Sequence, residues 1–319
     1  MRLHILLSIT ATAIATAAST RPHHPKLSVI YETDSIGPWF ENLAVRPSGT
    51  ILATRMDAPQ LWHIDPRRKT GAPLVEVPGV LSTTGIAEVA DDVYVFAAGN
   101  FSFEARGFVP GSLSVWKVDL SGLKKRAPVP MLIADFPDAG FLNGIAAWDG
   151  TRVLVGDTTG SKVYLLDIVS GEFEVALDVP EVAFVNGINV RDGWIYFVSG
   201  ELGTFYRVPV DSDARPTGAP ELIAADLSLD DFDIADDGTV FAAAVWNNQV
   251  VRITEDRAVT VIAGGPDSVE LLSCTSAKLG RTASDKGTIY VSTMGNGAFP
   301  EPGDVTTEAK IVAIKAKGV

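Results

Sequence analysis

Four residues along this chain carry hard oxygen donors at matching places in a recurring phrase: Glu41, Asn143, Asn186 and Asp230. Two carboxylates and two amides suit Ca²⁺, Mg²⁺ or Mn²⁺ better than a soft metal, and a carboxylate can also move protons on a bound substrate. The same side chains have a plainer use, capping a channel by hydrogen bonds to backbone and water, and from sequence the two uses stand level. The phrase reads Glu41-Asn-Leu-Ala-Val, Thr84-Gly-Ile-Ala-Glu, Asn143-Gly-Ile-Ala-Ala, Asn186-Gly-Ile-Asn-Val, Asp230-Asp-Phe-Asp-Ile and Thr275-Ser-Ala-Lys-Leu. Its starts lie 43, 59, 43, 44 and 45 residues apart. Short apolar strands repeating at that period are the blades of a propeller, so six starts predict an all-β, six-bladed β-propeller. The first residue of each copy should then rim one end of the central channel.

Loops between the second and third strands should stand over the same end. They bring Arg55, Met56 and Asp57, then a long stretch over residues 99–111 with Phe101, Phe103, Glu104, Arg106 and Phe108. Later blades add Asp157, Glu201, Trp246 and Asn247, and a second long stretch with Met294, Asn296, Phe299 and Glu301. Aromatics with few charges make a pocket for an apolar organic ligand. Phe103, Asp157, Trp246, Met294 and Asn296 are the expected substrate contacts, with Asp230, Glu41 and Arg106 the expected catalytic groups. For any one of these residues, ordinary loop packing is the competing use.

Within each repeat an inner strand leads into a turn such as Asp149-Gly or Asp192-Gly, suited to tight hairpins. Second strands are expected at 50–54, 93–97, 153–156, 194–198, 240–244 and 288–292, and third strands at 60–64, 112–118, 162–166, 204–208, 250–253 and 310–314. Fourth strands are expected at 74–77, 130–133, 173–177, 221–224 and 259–262. The sixth blade runs out of chain after its third strand. Residues 26–31 are the spare strand that can complete it and close the ring.

The chain has 319 residues, 46% of them hydrophobic, and a mean hydropathy of +0.20, ample for one large core over residues 20–319. Residues 1–19 read as a secretory signal peptide: one positive charge, an apolar stretch, and small residues at Ala15 and Ala17. Secretion, or residence in the secretory lumen, is therefore expected, with no membrane span, and Asn100-Phe-Ser is then a glycosylation sequon. Cys274 is the only cysteine, so no internal disulfide can form. A net charge of −13 and a pI near 4.7 argue against nucleic acid as a partner. A monomer acting on a hydrophobic small molecule is expected. No Gly-x-Ser-x-Gly elbow occurs, and of the four histidines three lie in the first 24 residues while His63 falls on a third strand. That disfavours a serine triad or a histidine dyad.

At these motifs the chain resembles the superfamily that contains senescence marker protein 30, gluconolactonases and strictosidine synthase, over about residues 26–318. Asn186-Gly-Ile with Asp192-Gly-Trp-Ile-Tyr-Phe, and Asp230-Asp-Phe with Asp237-Gly-Thr-Val-Phe, carry it most clearly. For the lactonases the resemblance implies a divalent metal on Glu41, Asn143, Asn186 and Asp230, with Asp230 also a base; Glu41 lacks the family's usual Glu-Gly-Pro context. Glu41-Asn-Leu-Ala-Val-Arg, Ala98-Gly-Asn-Phe-Ser, Ser114-Val-Trp-Lys-Val-Asp and Gly140-Phe-Leu-Asn-Gly-Ile resemble more closely a secreted fungal branch. That branch includes the hetero-Diels-Alderases of tropolone sesquiterpenoid biosynthesis. Membership there implies dehydration of a hydroxymethyl tropolone to a quinone methide, held against a humulene-type alkene.

Three functions follow. The first is a cyclase of the hetero-Diels-Alderase kind that requires no cofactor and works by orienting its reactants. The second is a lactonase dependent on Ca²⁺, Mg²⁺ or Mn²⁺. The third is a secreted binding propeller without turnover, since one fold hosts many functions.

Overall fold

The computed structural model describes residues 25–179, 182 and 184–315; the expected leader, residues 1–19, lies outside them. Six four-stranded antiparallel sheets make up nearly all of it. The inner strands are Phe40–Val45, Ser82–Ala90, Leu142–Ala147, Val185–Arg191, Leu229–Ile234 and Cys274–Leu279, each beginning at or within two residues of its recurring phrase. The second strands are Ile51–Arg55, Val93–Gly99, Arg152–Asp157, Trp194–Ser199, Val240–Ala244 and Thr288–Thr293. The six blades of the sequence reading are thus the six sheets, with strand limits differing by a residue or two.

Burial explains why the phrase is so apolar after its first residues. Phe40–Val45, Ile51–Arg55 and Val240–Ala244 are buried along their whole length, because both faces of an inner or second strand meet a neighbouring blade. Outer strands such as Phe173–Asp178 and Val259–Gly264 bury only one or two residues. Near-continuous apolar runs inside and mixed ones outside follow from that geometry. The core is divided accordingly into wedges between blades. Val95, Ala97 and Val115 of the second blade pack on Ile145, Val153 and Tyr164 of the third. Ile30 and Ile311 of the sixth pack on Phe40, Leu43 and Ile64 of the first.

The N-terminal strand, Lys26–Ile36, is longer than the expected 26–31 and pairs antiparallel with Glu308–Lys315. Leu27 faces Ile314 and Val29 faces Val312; an irregularity then shifts the pairing so that Tyr31 faces Ile311. That shift sends the Tyr31 ring toward the first blade, 6.2 Å from Phe40 and 5.7 Å from Trp62 between centroids. Gly71 is required there, since a Cβ would stand 2.9 Å from the Tyr31 ring. Removing residues 26–36 is therefore expected to lower the thermal midpoint by roughly 5–10 °C, through lost burial of Ile30 and Tyr31 and an opened sheet edge. An unchanged melting curve for that truncation would show that the closing strand contributes nothing.

Candidate functional site

Every inner strand carries an irregularity at the phrase. Phe40 pairs with Arg55 and Leu43 with Ala53, so three steps on the inner strand answer two on its partner. The same extra residue occurs in the third blade between Leu142 and Ile145, in the fourth between Val185 and Ile188, and in the fifth between Leu229 and Phe232. A bulge of this kind re-aims side chains, and here two consecutive phrase residues turn away from the wedges. In the second, third and fourth blades the second residue is Gly85, Gly144 or Gly187. A Cβ on these would stand 1.6 Å from the Asn143 carbonyl oxygen, 2.3 Å from that of Asn186 and 2.7 Å from that of Asp230, respectively. The glycines let neighbouring inner strands approach closely and so seat the next polar residue.

Five of the first residues, Glu41, Asn143, Asn186, Asp230 and Thr275, form the floor of a cavity of about 720 Å³. Asn143 Nδ2 donates to Glu41 Oε1 at 3.0 Å, and Asn186 Nδ2 donates to Asp230 Oδ1 at 2.7 Å. Trp39 Nε1 donates to Glu41 Oε2 at 2.6 Å. Burial pushes the Glu41 carboxyl up to about 7, against the pull of the Asn143 and Trp39 hydrogen bonds and with help from the charge of Asp231. Burial, then the charges of Glu41 and Asp231, raises Asp230 well above the usual carboxylate range. Thr84 and Thr275 do a different job: their hydroxyls donate to the Leu142 carbonyl at 2.7 Å and the Phe40 carbonyl at 2.8 Å, latching each blade to the next.

Beneath the floor lies a layer built from the second phrase residues of the other three blades. Asn42 Nδ2 bonds Asp231 Oδ2, Ser276 Oγ donates to Asn42 Oδ1 at 3.0 Å, and Lys278 Nζ meets Asp231 Oδ1 at 3.3 Å. These side chains occupy the part of the channel away from the glycine-bearing strands. The single cation of that layer is thus held by Asp231, and no ion pair is formed by Glu41 or Asp230 among the described residues.

The walls are aromatic on one side. Trp39, Phe101, Phe103 and Phe299 cluster with centroids 5.1–6.5 Å apart, mostly edge to face, and Phe108 stacks obliquely on Phe141 at 4.9 Å. The short hairpin of Phe101–Ser102 and Gly107–Phe108 carries this wall. Arg106 lies over the Phe299 ring at 4.9 Å and meets Glu301 at 3.5 Å, joining the two long loops at the mouth. Trp246, 70% exposed on a one-turn 3₁₀ helix (Val245–Asn247), forms part of the rim, and Met56 and Met294 line the interior.

Of the expected residues, Glu41, Asn143, Asn186, Asp230, Arg106, Trp246 and Met294 border this one cavity. Phe103 stands behind it, packed on Trp39, Phe101 and Phe299. Asp157 and Asn296 do not border it. The Asp157 carboxylate accepts the N–H groups of Gly140, Phe141 and Gly160 at 3.0–3.2 Å, and so is committed to holding two loops together. Asn296 adopts a left-handed backbone (φ 57°) and donates to Asp304 at 3.2 Å, fixing its own turn. Asn100, the sequon residue, sits half-buried at the root of the hairpin, its N–H donating to Ser112 and its carbonyl accepting from Val109. Cys274 is buried, its thiol pushed up to about 12 by desolvation, which removes it as a nucleophile.

The donor set is compatible with a hard cation. Two carboxyls lacking a cationic partner face one cavity with two amides whose oxygens can turn inward, although no group of three or more His, Cys, Asp or Glu converges among the described residues. Trp39 and the Asn42–Asp231–Ser276–Lys278 layer were not marked by the spacing of the phrase. The doublets Glu41-Asn42 and Asp230-Asp231 carried the signal, because two adjacent polar residues in an otherwise apolar inner strand break strand alternation.

No protein-family model matches the chain. A protein from a Phoma species that carries the name hetero-Diels-Alderase is 27% identical over 297 residues, covering 80% of this chain and 83% of that protein. A second protein so named, from Sarocladium schorii, is 26% identical over 339 residues, covering 88% and 82%. By sequence, the chain is similar to these two proteins along most of its length. The solved calcium-binding protein regucalcin from Agrobacterium tumefaciens shares the fold with a TM-score of 0.62 at 16% identity, covering 91% of this chain and 94% of regucalcin. The frame that the chain shares with regucalcin is the one on which the aromatic cavity is built.

Proposed function

We propose that the chain is a secreted biosynthetic cyclase of the hetero-Diels-Alderase kind. It would bring a hydroxymethyl tropolone and a humulene-type alkene together in the aromatic cavity. The observation that carries this reading is a large cavity with an aromatic wall and two buried carboxyls on its floor, in a chain whose relatives bear that name. A volume of about 720 Å³ lies within the range of organic-ligand pockets.

In the first step the protonated Glu41 carboxyl gives its proton to the departing hydroxyl, which leaves as water. Asp230, in the state where the proton of the two carboxyls sits on Glu41, accepts the ring hydroxyl proton, so the tropolone becomes a neutral quinone methide and the number of protons on the two carboxyls is unchanged. In the second step one C–C and one C–O bond form between the quinone methide and the alkene, and no proton moves. The protein's part there is orientation: Phe101, Phe108, Phe141 and Phe299 hold two flat or apolar reactants face to face. Arg106, at the mouth, would polarise the ring carbonyl while its guanidinium holds Phe299.

The test is incubation of the purified protein with both reactants. A single stereoisomer of the adduct, formed well above the buffer rate, is expected. Trp246→Ala and Phe103→Ala are expected to lower both rate and stereoselectivity. An adduct ratio and rate equal to those in buffer would overturn the reading.

A second reading has one observation in its favour, the compatible donor set. Glu41, Asn143, Asn186 and Asp230 would hold Ca²⁺, Mg²⁺ or Mn²⁺, which when bound would polarise a lactone carbonyl. Asp230 would then take a proton from the attacking water. Elemental analysis of the purified protein decides it: no stoichiometric divalent metal, with activity indifferent to chelator, rules it out.

A further inference from the structure

Among the described residues, four buried side-chain polar atoms have no hydrogen-bond partner in the protein: Asn100 Oδ1, Thr158 Oγ1, Thr204 Oγ1 and Arg252 Nε. Of these only Thr158 borders the aromatic cavity. A buried hydroxyl without a partner destabilises a fold, and each such group in a native structure calls for a reason.

Thr158 is not there through slack packing. It is 3% exposed, and its N–H donates to the Phe141 carbonyl at 2.8 Å. The preceding Asp157 clamps residues 140, 141 and 160 with its carboxylate. Gly140 and Gly160 leave no space for a side chain: a Cβ would stand 1.9 Å from Thr159 Oγ1 in the one case and 2.2 Å from Asp157 Oδ2 in the other. Two loops are thus locked on each other, at the cost of two side chains, around a hydroxyl that nothing in the protein satisfies. A valine would fill the same shape without an unsatisfied oxygen.

The N–H groups of Trp39, Asn143 and Asn186 are taken by Glu41 and Asp230, and the Glu41 proton is committed to the departing hydroxyl. For a ring oxygen, Thr158 would add a neutral donor from the wall to the charge of Arg106 at the mouth. The Thr158 oxygen is itself buried at the back of the wall, so to reach a ligand the side chain must turn about its Cα–Cβ bond, exchanging the hydroxyl for the methyl group.

We propose that Thr158 is a specificity-determining residue whose hydroxyl donates to the oxygen of a ring ketone bound in this cavity. The inference rests on the reading that the cavity takes an oxygen-bearing ring. It accounts for why the cavity would prefer that partner over a hydrocarbon of the same size, since only an oxygen satisfies the wall.

The experiment uses the whole secreted protein, with Thr158→Val and Thr158→Ser, and unsubstituted tropolone as the calorimetric probe. Thr158→Val is expected to melt at or above the wild-type temperature and to weaken tropolone binding by roughly 3- to 10-fold. Thr158→Ser is expected to bind as the wild type does. In turnover the loss in Thr158→Val should fall on KM for the tropolone partner rather than on kcat. Equal tropolone affinity in wild type and Thr158→Val, or a clear drop in the melting temperature of Thr158→Val, overturns the assignment of Thr158 alone. Absence of tropolone binding by the wild type overturns the assignment together with the cyclase reading.

Discussion

Glu41→Gln is expected to slow turnover by roughly 10²–10⁴-fold, the usual contribution of a positioned acid or base, while the protein still folds. Glutamine keeps the length and one acceptor oxygen for the Trp39 N–H, and its NH2 can be met by the Asn143 oxygen once that amide turns over, yet it cannot give up a proton as the carboxyl does. The size of the effect follows from where burial has put the carboxyl: at about 7 rather than its ordinary 4.5, both protonation states are populated near neutral pH. The same displacement has a consequence for stability. The folded protein holds a proton on Glu41 that the unfolded chain releases near its ordinary value. The stabilisation is therefore complete below about pH 4.5 and is lost as pH rises through the folded value of about 7. Asp230, raised for the same reason, adds to the fall. In chelator-treated protein the thermal midpoint should decline between about pH 5 and 8, and Glu41→Gln should flatten that decline and melt higher than wild type at the upper end. A wild-type midpoint independent of pH in this window, or a Glu41→Gln rate close to wild type, would remove Glu41 from the mechanism. A decline that reverses when Ca²⁺ is added would instead favour the metal reading, because a bound cation lowers the carboxyls rather than raising them.

The frame of this molecule was open to reading from sequence because the phrase repeats and its turns carry their own chemistry. Blade order, inner strands and the completing strand all follow from six starts and one missing outer strand. The floor was open for the same reason: residues at one position of a repeat converge on one axis. The walls were harder. Phe103, Asp157 and Asn296 lie in or beside the same kind of loop as Arg106, Trp246 and Met294, but Asp157 satisfies backbone N–H groups of its own turn and of the neighbouring loop, and Asn296 bonds within its own turn. Loop polar residues serve their own backbone before any ligand, and composition does not separate the two uses. Trp39 was hidden because it precedes the phrase, although it is the residue that joins aromatic wall to acidic floor. Its backbone N–H is held at 2.8 Å by Asp57, which is in turn paired at 2.5 Å with Arg55. An aromatic two positions before a buried carboxylate is a weak pattern alone; it acquires meaning only when the strand is known to open at the rim.

The largest effect on folding is expected from Gly85→Ala. Gly150, in the turn after the third inner strand, marks the contrast, since a Cβ there meets nothing within 4 Å. At Gly85 the Cβ would lie 1.6 Å from the Asn143 carbonyl oxygen and 2.8 Å from its carbon. Backbone cannot swing aside as a side chain can, so the second and third inner strands must part. Parting them loosens the latch from Thr84 to Leu142 and moves Asn143 away from Glu41. Overpacking alone costs roughly 1–3 kcal/mol, and a clash with fixed backbone at a closed ring belongs at or beyond the upper end, about 3 kcal/mol or more. Gly150→Ala should stay within about 0.5 kcal/mol of wild type. Denaturant unfolding of the two variants side by side tests this, with substrate turnover of any folded Gly85→Ala protein as the second readout. A Gly85→Ala protein with wild-type stability and activity would mean that the inner strands are not held at this spacing. The floor would then owe its geometry to something other than the three glycines.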